Sequence, residues 1–259
     1  MWTVLIIACF IMMGFVSKSG KDMVCENINV KIEHVGSNFF VLEEDILETI
    51  TSAGIRVMGQ KVRDINIMEI EETIAEKNPF IKDVDVYKTI DGTVNIEIEE
   101  RMPIIRVFTK DYKSFYIDEE GFLMPTSRNY AARVPVASGN ISFKQLKNIR
   151  NNKIHIDDES LDENAQTLRE IYEVASFIHK DEFWKAQIQQ LFVDNYSDIV
   201  MIPRVGLHKI VLGKPDLLKK KFDKLLFFYN NGLSKVGWNK YDTINLKYSN
   251  QVVCTKKSY

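Results

Sequence analysis

The pair Asp91-Gly92 separates two runs in which polar and apolar side chains alternate. The run before it contains Ile81, Val84 and Val86, and the run after it, residues 94–99, alternates strictly. An Asp-Gly pair tolerates the positive φ angles of a tight turn, and alternation with a period of two gives a strand one apolar face. The pair therefore predicts a β-hairpin, in which the register of each strand follows from its apolar face.

The residues before this hairpin predict one further strand and two helices. Residues 29–33 alternate between polar and apolar side chains, which indicates a half-buried strand. Residues 42–53 carry apolar side chains at helical spacing, and Gly54 is the residue type that commonly closes a helix. A second helix is expected to begin at Asn66, a good N-cap, and to stop before Pro79. The predicted order is β-α-α-β-β.

Short motifs in and after this segment are more specific. They are Asn78-Pro79, the Asp91-Gly92 turn, Glu100-Arg101 with Pro103, and the later residues Tyr116, Asp118 and Gly121. With these motifs, the β-α-α-β-β segment resembles a POTRA domain, and nearly the whole chain resembles the FtsQ/DivIB family of single-pass division proteins, in particular its Bacteroidetes branch. The resemblance implies an α+β fold with an N-terminal transmembrane helix, a POTRA domain and a mixed β-domain with an antiparallel meander and two amphipathic helices.

The residues after Pro103 predict the elements of that β-domain. Short β-rich runs at 104–108 and 115–117 indicate the meander. Further strands are expected at 133–139, 191–195, 199–203 and 208–213, and amphipathic helices at 165–180 and 214–231. Residues 143–163 are rich in polar side chains and are expected to form an excursion on the surface.

The helix predicted at 214–231 carries two finer predictions. Pro215 suits the first turn of a helix, so the helix is expected to start beside it, with Leu217 facing the core. The lysines of this helix are expected to form a solvated face; they are Lys219, Lys220, Lys221 and Lys224.

The N-terminal residues 1–16 contain no charged side chain. As a helix they would extend about 24 Å at about 1.5 Å per residue, which a few more residues bring close to the ~30 Å hydrocarbon core of a membrane. We expect an uncleaved anchor. Two alternatives stay open, namely a cleaved or lipidated signal segment near Cys9 and a buried core helix. Lys18 and Lys21 follow the segment. If the rest of the chain lies outside the cytoplasm, these two lysines lie on the side opposite to the usual cytoplasmic excess of basic residues.

The C-terminal residues carry the predicted interaction surface. Residues 242–248 alternate strictly, and the strand is expected to continue through Cys254. A terminal strand at a sheet edge offers free N–H and C=O groups to a partner strand. In FtsQ-like proteins the corresponding strand contacts FtsB, and the resemblance implies this contact for Ile244, Leu246, Lys247, Tyr248, Ser249, Asn250, Gln251 and Val253. A strand that only closes the β-domain is the alternative.

Composition and motifs favour neither catalysis nor a nucleic-acid partner. The 34 basic and 36 acidic residues leave a formal net charge of -2, whereas polyanion binding relies on a basic surface. The four histidines are far apart in sequence, and the three cysteines lack the spacing of a metal site or a disulfide framework. No nucleotide-binding or nucleophile motif is present. We therefore expect no catalytic residue, metal, cofactor or small-molecule substrate.

The resemblance also implies a domain organisation and a location. We expect a transmembrane anchor at 1–18, a linker at 19–26, the POTRA domain at 27–101, the β-domain at 102–255 and a C-terminal tail at 256–259. The protein is expected in the inner membrane at the division septum, with most of the chain in the periplasm.

The implied function is that of a bacterial cell division scaffold that links early and late division proteins. Its implied partners are FtsB- and FtsL-like proteins. FtsK-like proteins and septal wall-synthesis proteins are further partners that the resemblance suggests. Two other classes stay open: an envelope POTRA protein that chaperones client β-strands in export or outer-membrane protein assembly, and an enzyme whose site lies in the β-domain.

Overall fold

The computed structural model describes residue 2 and residues 23–34, 39–142, 154–157, 165–196 and 198–257. The chain divides into two units, Met1–Arg101 and Met102–Tyr259. Apart from residue 2, the predicted membrane anchor at 1–18 lies outside the described residues. Within the described ranges, no helix is long and apolar enough to cross a membrane.

The first unit has the predicted β-α-α-β-β order. Its elements are β1 (Asn27–Glu33), α1 (Glu43–Ser52), a 3-10 helix (Val62–Asp64), α2 (Ile67–Lys77), β2 (Ile81–Lys88) and β3 (Thr93–Glu100). The strands form one sheet in the order β1-β3-β2, in which β3 is parallel to β1 and antiparallel to β2. Among the described residues, β1 and β2 are therefore the two edges of this sheet.

The ends of both helices follow local chemistry that the sequence predicted. Gly54 has a φ of +78° just past α1, and its N–H donates to the carbonyl of Thr51 at 2.9 Å. A glycine reaches this left-handed conformation without the clash that a Cβ would cause. At the start of α2, the Asn66 side chain accepts a hydrogen bond from the N–H of Glu69 at 3.4 Å. Both predicted helix boundaries are confirmed.

The predicted hairpin between β2 and β3 is also confirmed. Gly92 has a φ of +89°, and the Asp91 carboxylate accepts a hydrogen bond from the N–H of Thr93 at 3.1 Å. Hydrogen bonds from Thr89 and Thr93 to this exposed carboxylate lower its pKa. The turn thereby fixes the register in which β2 pairs with β3.

The core of the first unit lies between the two helices and one face of the sheet. Its buried residues include Ile46, Ile50, Ile70, Ile74, Ile81, Val86, Val94, Ile96 and Ile98. The opposite face of the sheet is polar: Lys31 Nζ lies 3.7 Å from Glu97 Oε1, and Lys82 Nζ lies 2.9 Å from Glu99 Oε1. The alternation seen in the sequence therefore gives the sheet one buried, apolar face and one polar face toward solvent.

The second unit is built on one mixed sheet. Its described strands are β4 (Pro103–Phe108), β5 (Ser114–Asp118), β6 (Phe122–Pro125), β7 (Val136–Gly139), β8 (Ile154–His155), β9 (Ile188–Val193), β10 (Ile199–Pro203), β11 (Lys209–Gly213), β12 (Tyr241–Asn245) and β13 (Val253–Lys256). Their order in the sheet is β13-β12-β11-β10-β9-β7-β4-β5-β6-β8. The helices are α3 (Ala165–His179), α4 (Glu182–Gln187), α5 (Leu218–Phe228), a π-helix (Tyr229–Leu233) and α6 (Ser234–Val236).

This sheet combines antiparallel and parallel pairs. Strands β4, β5 and β6 form the predicted antiparallel meander. Strand β7 is parallel to both β4 and β9, and β11 is parallel to β12. Parallel neighbours need a long crossover, and α5 with the π-helix and α6 forms the crossover from β11 to β12. This connection brings the C-terminal strands to one end of the sheet.

Helices α3 and α5 cover one face of this sheet and bury its core. The buried residues include Ile105, Val107, Ile117, Leu168, Ile171, Leu191, Met201, Ile210, Phe222, Leu225 and Ile244. Aromatic rings extend the packing: the Trp184 ring lies 5.0 Å from the Phe222 ring and 5.9 Å from the Tyr229 ring, between centroids. Aromatic pairs at this spacing add to the stability that burial of their area provides.

The predicted surface excursion at 143–163 is wrong for its described part. Residues 154–155 form β8, which pairs with β6 at the end of the sheet. Ile156 is buried, and its N–H donates to the carbonyl of Gly121 at 2.8 Å. Ile156 is brought to the core because the residues before it pair with the edge of β6, which the polar composition of 143–163 does not reveal.

The helix predicted to start beside Pro215 begins later. Helix α5 starts at Leu218, and Leu217 precedes it with a φ of +50°, a left-handed conformation that interrupts a helix. Leu217 is 61% exposed, so the prediction that it faces the core is wrong.

The lysines of α5 do not all form the predicted solvated face. Lys219 and Lys220 are exposed, as predicted. Lys221 is buried, and its Nζ donates to the carbonyl of Lys214 at 2.8 Å and to Asp216 Oδ1 at 2.7 Å. The prediction is wrong for Lys221 because these acceptors satisfy its ammonium group at the start of the helix.

Candidate partner-binding edge

The predicted continuous terminal strand is a hairpin of two short strands. Strand β12 ends at Asn245 and β13 begins at Val253, and they pair antiparallel with Ile244 opposite Cys254. The prediction of one strand through Cys254 is therefore wrong. Ser249 and Asn250, whose side chains suit turns, lie in the connection and break the alternation.

Strand β13 forms one end of the large sheet. It pairs with β12 on its inner side, and no described strand pairs with its outer side. The N–H of Lys257 donates to the carbonyl of Lys240 on the inner side, at 3.3 Å. Because successive residues of a strand direct their backbone groups to opposite sides, the N–H and C=O groups of Cys254 and Lys256 point outward. They are available to a further strand.

The side chains predicted to contact a partner fall into three groups. Ile244, in β12, and Leu246, just after it, belong to the hydrophobic core of the second unit and are 0% exposed, so these two side chains have no surface for the predicted contact. Val253, at the start of β13, is 40% exposed. The other five are exposed in the connection between β12 and β13; they are Lys247, Tyr248, Ser249, Asn250 and Gln251.

The ammonium groups of two lysines form hydrogen bonds that hold the connection between β12 and β13 in place. Lys224 Nζ, from α5, donates to the carbonyl of Leu246 at 3.2 Å and to that of Tyr248. Burial lowers the pKa of Lys224. Lys247 Nζ donates to Asp198 Oδ2, and this hydrogen bond raises the pKa of Lys247. The position of β13 therefore depends on side chains from α5 and from the turn before β10.

Sequence reasoning missed two residues of this edge. Lys224 was expected on a solvated face, which is wrong because its ammonium group is bound by two carbonyl oxygens. Helical periodicity gives no signal for acceptors that lie 22 and 24 residues further along the chain. Lys256 was expected at the start of the tail, yet it is the last residue of β13.

The motif residue Glu100 joins three parts of the first unit. Its buried Oε1 accepts hydrogen bonds from the N–H groups of Phe40 at 2.9 Å and Val41 at 2.8 Å, and its Oε2 lies 3.0 Å from His34 Nδ1. Two backbone N–H groups thus find their acceptor in one carboxylate. This residue stabilises the approach to α1 and does not form part of an exposed site.

The other motif residues hold turns and strand ends. Asp118 Oδ1 accepts from the N–H of Phe122 at 2.7 Å, across a turn in which Gly121 has a φ of +91°. Tyr116 is buried, and its hydroxyl accepts from the N–H of Ala132 at 3.3 Å. The remaining motif residues lie at turns or strand ends; they are Asn78, Pro79, Asp91, Gly92, Arg101 and Pro103.

Two titratable groups in the core of the second unit, His208 and Tyr229, pair with each other. His208 Nε2 lies 3.0 Å from the Tyr229 hydroxyl. Burial lowers the pKa of His208 and raises that of Tyr229, so both groups are neutral at pH 7. In the part of the chain that the structure describes, no group of three His, Cys, Asp or Glu residues is placed to bind a metal ion.

Comparison with known proteins agrees with the two-unit architecture. The family model described as FtsQ/DivIB, C-terminal related, matches residues 102–255, and the POTRA-like domain model matches residues 23–99. The chain is similar to a protein named cell division protein FtsQ from Geotalea daltonii, with 24% identity over 232 residues that cover 85% of this chain and 78% of the relative. A protein of the same name from Rhodothermus marinus is 20% identical over 211 residues, which cover 78% of this chain and 69% of the relative.

Proposed function

The chain belongs to the FtsQ/DivIB family, and from this membership we propose that it is a bacterial cell division scaffold that binds division proteins through the edge strand β13. The observation that carries the proposal is the outer side of β13, which is unpaired among the described residues and lies within the region that matches the family. The two relatives named cell division protein FtsQ support the role in cell division.

Strand addition fits the chemistry of this edge. A partner strand gains ladder hydrogen bonds from the outward groups of Cys254 and Lys256, and the alternating side chains on its two faces provide specificity. Val253 and Tyr248 are 40% and 49% exposed. We expect Tyr248 to contribute most of the side-chain binding energy, because aromatic residues dominate protein interfaces.

The proposed partners are FtsB- and FtsL-like proteins, and the proposed location is the inner membrane at the septum. Residues 1–18 would anchor the chain, with the bulk of the chain in the periplasm. A membrane tether raises the effective concentration of partners that associate weakly in solution. Recruitment of this kind requires complementary surfaces and no chemical step, so we propose a scaffold rather than an enzyme.

The test replaces Lys256 with proline in the full-length protein. Proline removes the outward N–H and keeps the inner pairing of β13, as edge strands tolerate. Leu246 is unsuitable for this test because its N–H donates to the carbonyl of Val211 inside the sheet, at 2.9 Å. Loss of one ladder bond should weaken the binding of a purified FtsB-like partner by about tenfold, measured by biolayer interferometry with the protein in nanodiscs.

The matched control is Lys256→Thr, which removes the same charge and keeps the N–H. This variant should bind within about threefold of the unchanged protein, because an exposed charge contributes little. Thermal melts establish that both variants are folded. Equal affinities of folded Lys256→Pro and Lys256→Thr would show that strand addition at β13 does not occur.

A further inference from the structure

The first unit has a free strand edge of its own, bordered by an apolar groove. Strand β1 pairs with β3 along all its residues, and no other described strand pairs with it. A groove of about 320 Å³ lies beside it, between Ile28 of β1, the C-terminal half of α1 and residues 54–58. Edge and groove together form a surface that has no role in the interaction proposed for β13.

The backbone before β1 shows which groups face outward. The N–H of Cys25 donates to the carbonyl of Gln60 at 2.8 Å, and the N–H of Gly59 donates to the carbonyl of Cys25 at 2.9 Å. Residues 59–62 thus form a short segment on the outer side, which runs antiparallel to residues 23–25 just before β1. By the two-residue alternation of a strand, the backbone groups of Asn29 and Lys31 face the same outer side, where no described strand lies.

The opposite edge of the same sheet is protected. The N–H of Val86 in β2 donates to Glu71 Oε1 at 2.9 Å, and Glu71 belongs to α2, which packs against β2. A strand added to β2 would have to displace this charge-assisted hydrogen bond. Strand β1 is therefore the edge of this sheet that can accept a partner without such a loss.

The groove beside β1 combines apolar walls with one cation. Leu47 and Met58 line it and are 39% and 51% exposed. Arg56 lines the same groove and is exposed, and it forms no ion pair within the described ranges. An apolar side chain with a carboxylate nearby would complement both features, because guanidinium binds carboxylate with well-defined geometry.

We propose that the first unit binds an extended segment of a second protein, which adds antiparallel to β1 and places an apolar side chain in the groove and a carboxylate beside Arg56. The incoming strand would lie on the same outer side as residues 59–62 and run in the same direction as they do, antiparallel to β1. It would start beside Glu33 and end beside Asn27. Its C-terminal end therefore reaches Ile28 and Arg56. The partner is a segment that alternates polar and apolar residues and has a carboxylate at its C-terminal end.

The probe is a fluorescein-labelled synthetic peptide in which threonine alternates with valine, ending in glutamate with a free carboxylate. It is titrated against the full chain in nanodiscs by fluorescence anisotropy, where we expect saturable binding. A peptide that ends in an amidated lysine should bind about tenfold more weakly. Arg56→Glu should weaken binding of the glutamate peptide about tenfold, and Arg56→Lys, which keeps the charge and loses the guanidinium fork, should weaken it by a smaller factor.

Two variants test the edge and the groove separately. Asn29→Pro removes one outward N–H from β1, with Asn29→Thr as its matched control. Thr51→Trp fills the groove from an exposed position of α1, so it tests the same site even if the proline variant does not fold. Each of Asn29→Pro and Thr51→Trp should weaken peptide binding by at least about tenfold.

Lys256→Pro, the variant that disables β13, should leave peptide binding to β1 unchanged. The two proposals can therefore fail independently. Absence of saturable binding to the unchanged protein would overturn the proposal for β1. It would equally be overturned by peptide affinity that persists in folded Asn29→Pro and Thr51→Trp, or that disappears in Lys256→Pro.

Discussion

Replacement of Lys224 by methionine tests how the edge strand β13 is held in place. Methionine keeps most of the aliphatic stem and removes the ammonium group that donates to the carbonyls of Leu246 and Tyr248. Hydrogen bonds to a charged group contribute about 1.5–3 kcal/mol when buried. The side chain is only partly buried, so we take about 1 kcal/mol for each bond and about 2 kcal/mol for both.

For a unit the size of residues 102–259, this loss lowers the melting temperature by about 4–8 °C. Circular dichroism of the full-length protein at neutral pH measures the shift. The matched control is Lys220→Met, which removes an exposed charge from the same helix and should shift the melt by less than about 2 °C. Equal shifts for Lys224→Met and Lys220→Met would refute the role assigned to the Lys224 ammonium group.

Two further predictions concern buried polar groups, each measured by urea unfolding. Burial against Tyr229 lowers the pKa of His208 in the folded state below 6.5, so stability should be complete above about pH 6.5 and fall in more acidic buffer by up to about 1.4 kcal/mol per pH unit. Glu100→Ala should destabilise the first unit by about 1–3 kcal/mol for each of the two N–H groups, of Phe40 and Val41, that lose their acceptor.

Each of these predictions has its own control. His208→Gln removes the titrating group, so its stability should change less between about pH 7 and pH 5 than that of the unchanged protein. The same acid slope in both proteins would assign the effect to other groups. Glu100→Gln keeps a carbonyl oxygen for the two N–H groups, and an equal loss in Glu100→Gln and Glu100→Ala would contradict the acceptor role.

The elements that the sequence predicted well depend on local chemistry. Gly54 closes α1, Asn66 caps α2, and the Asp91-Gly92 turn sets the first hairpin. Each of these signals lies within a few residues of the structure that it determines, so one sequence is enough to find it. Glu100 was found through the family resemblance instead, because the N–H groups that it binds, of Phe40 and Val41, lie 60 and 59 residues earlier in the chain.

The features that the sequence did not predict depend on contacts between distant residues. The terminal strand divides because Leu246 is drawn into the core while the residues after it form a connection fastened by Lys224. Lys221 is buried because Lys214 and Asp216 supply acceptors at the start of α5. Alternation and helical periodicity describe one element at a time, so they carry no information on such partners.

Amide hydrogen exchange of the full-length protein, with and without a bound FtsB-like partner, tests the central proposal most directly. The outward N–H groups of Cys254 and Lys256 should exchange rapidly in the free protein and slowly in the complex. The N–H of Ile244, in the interior strand β12, should be protected in both states. Binding of the partner with unchanged exchange at Cys254 and Lys256 would contradict strand addition at β13.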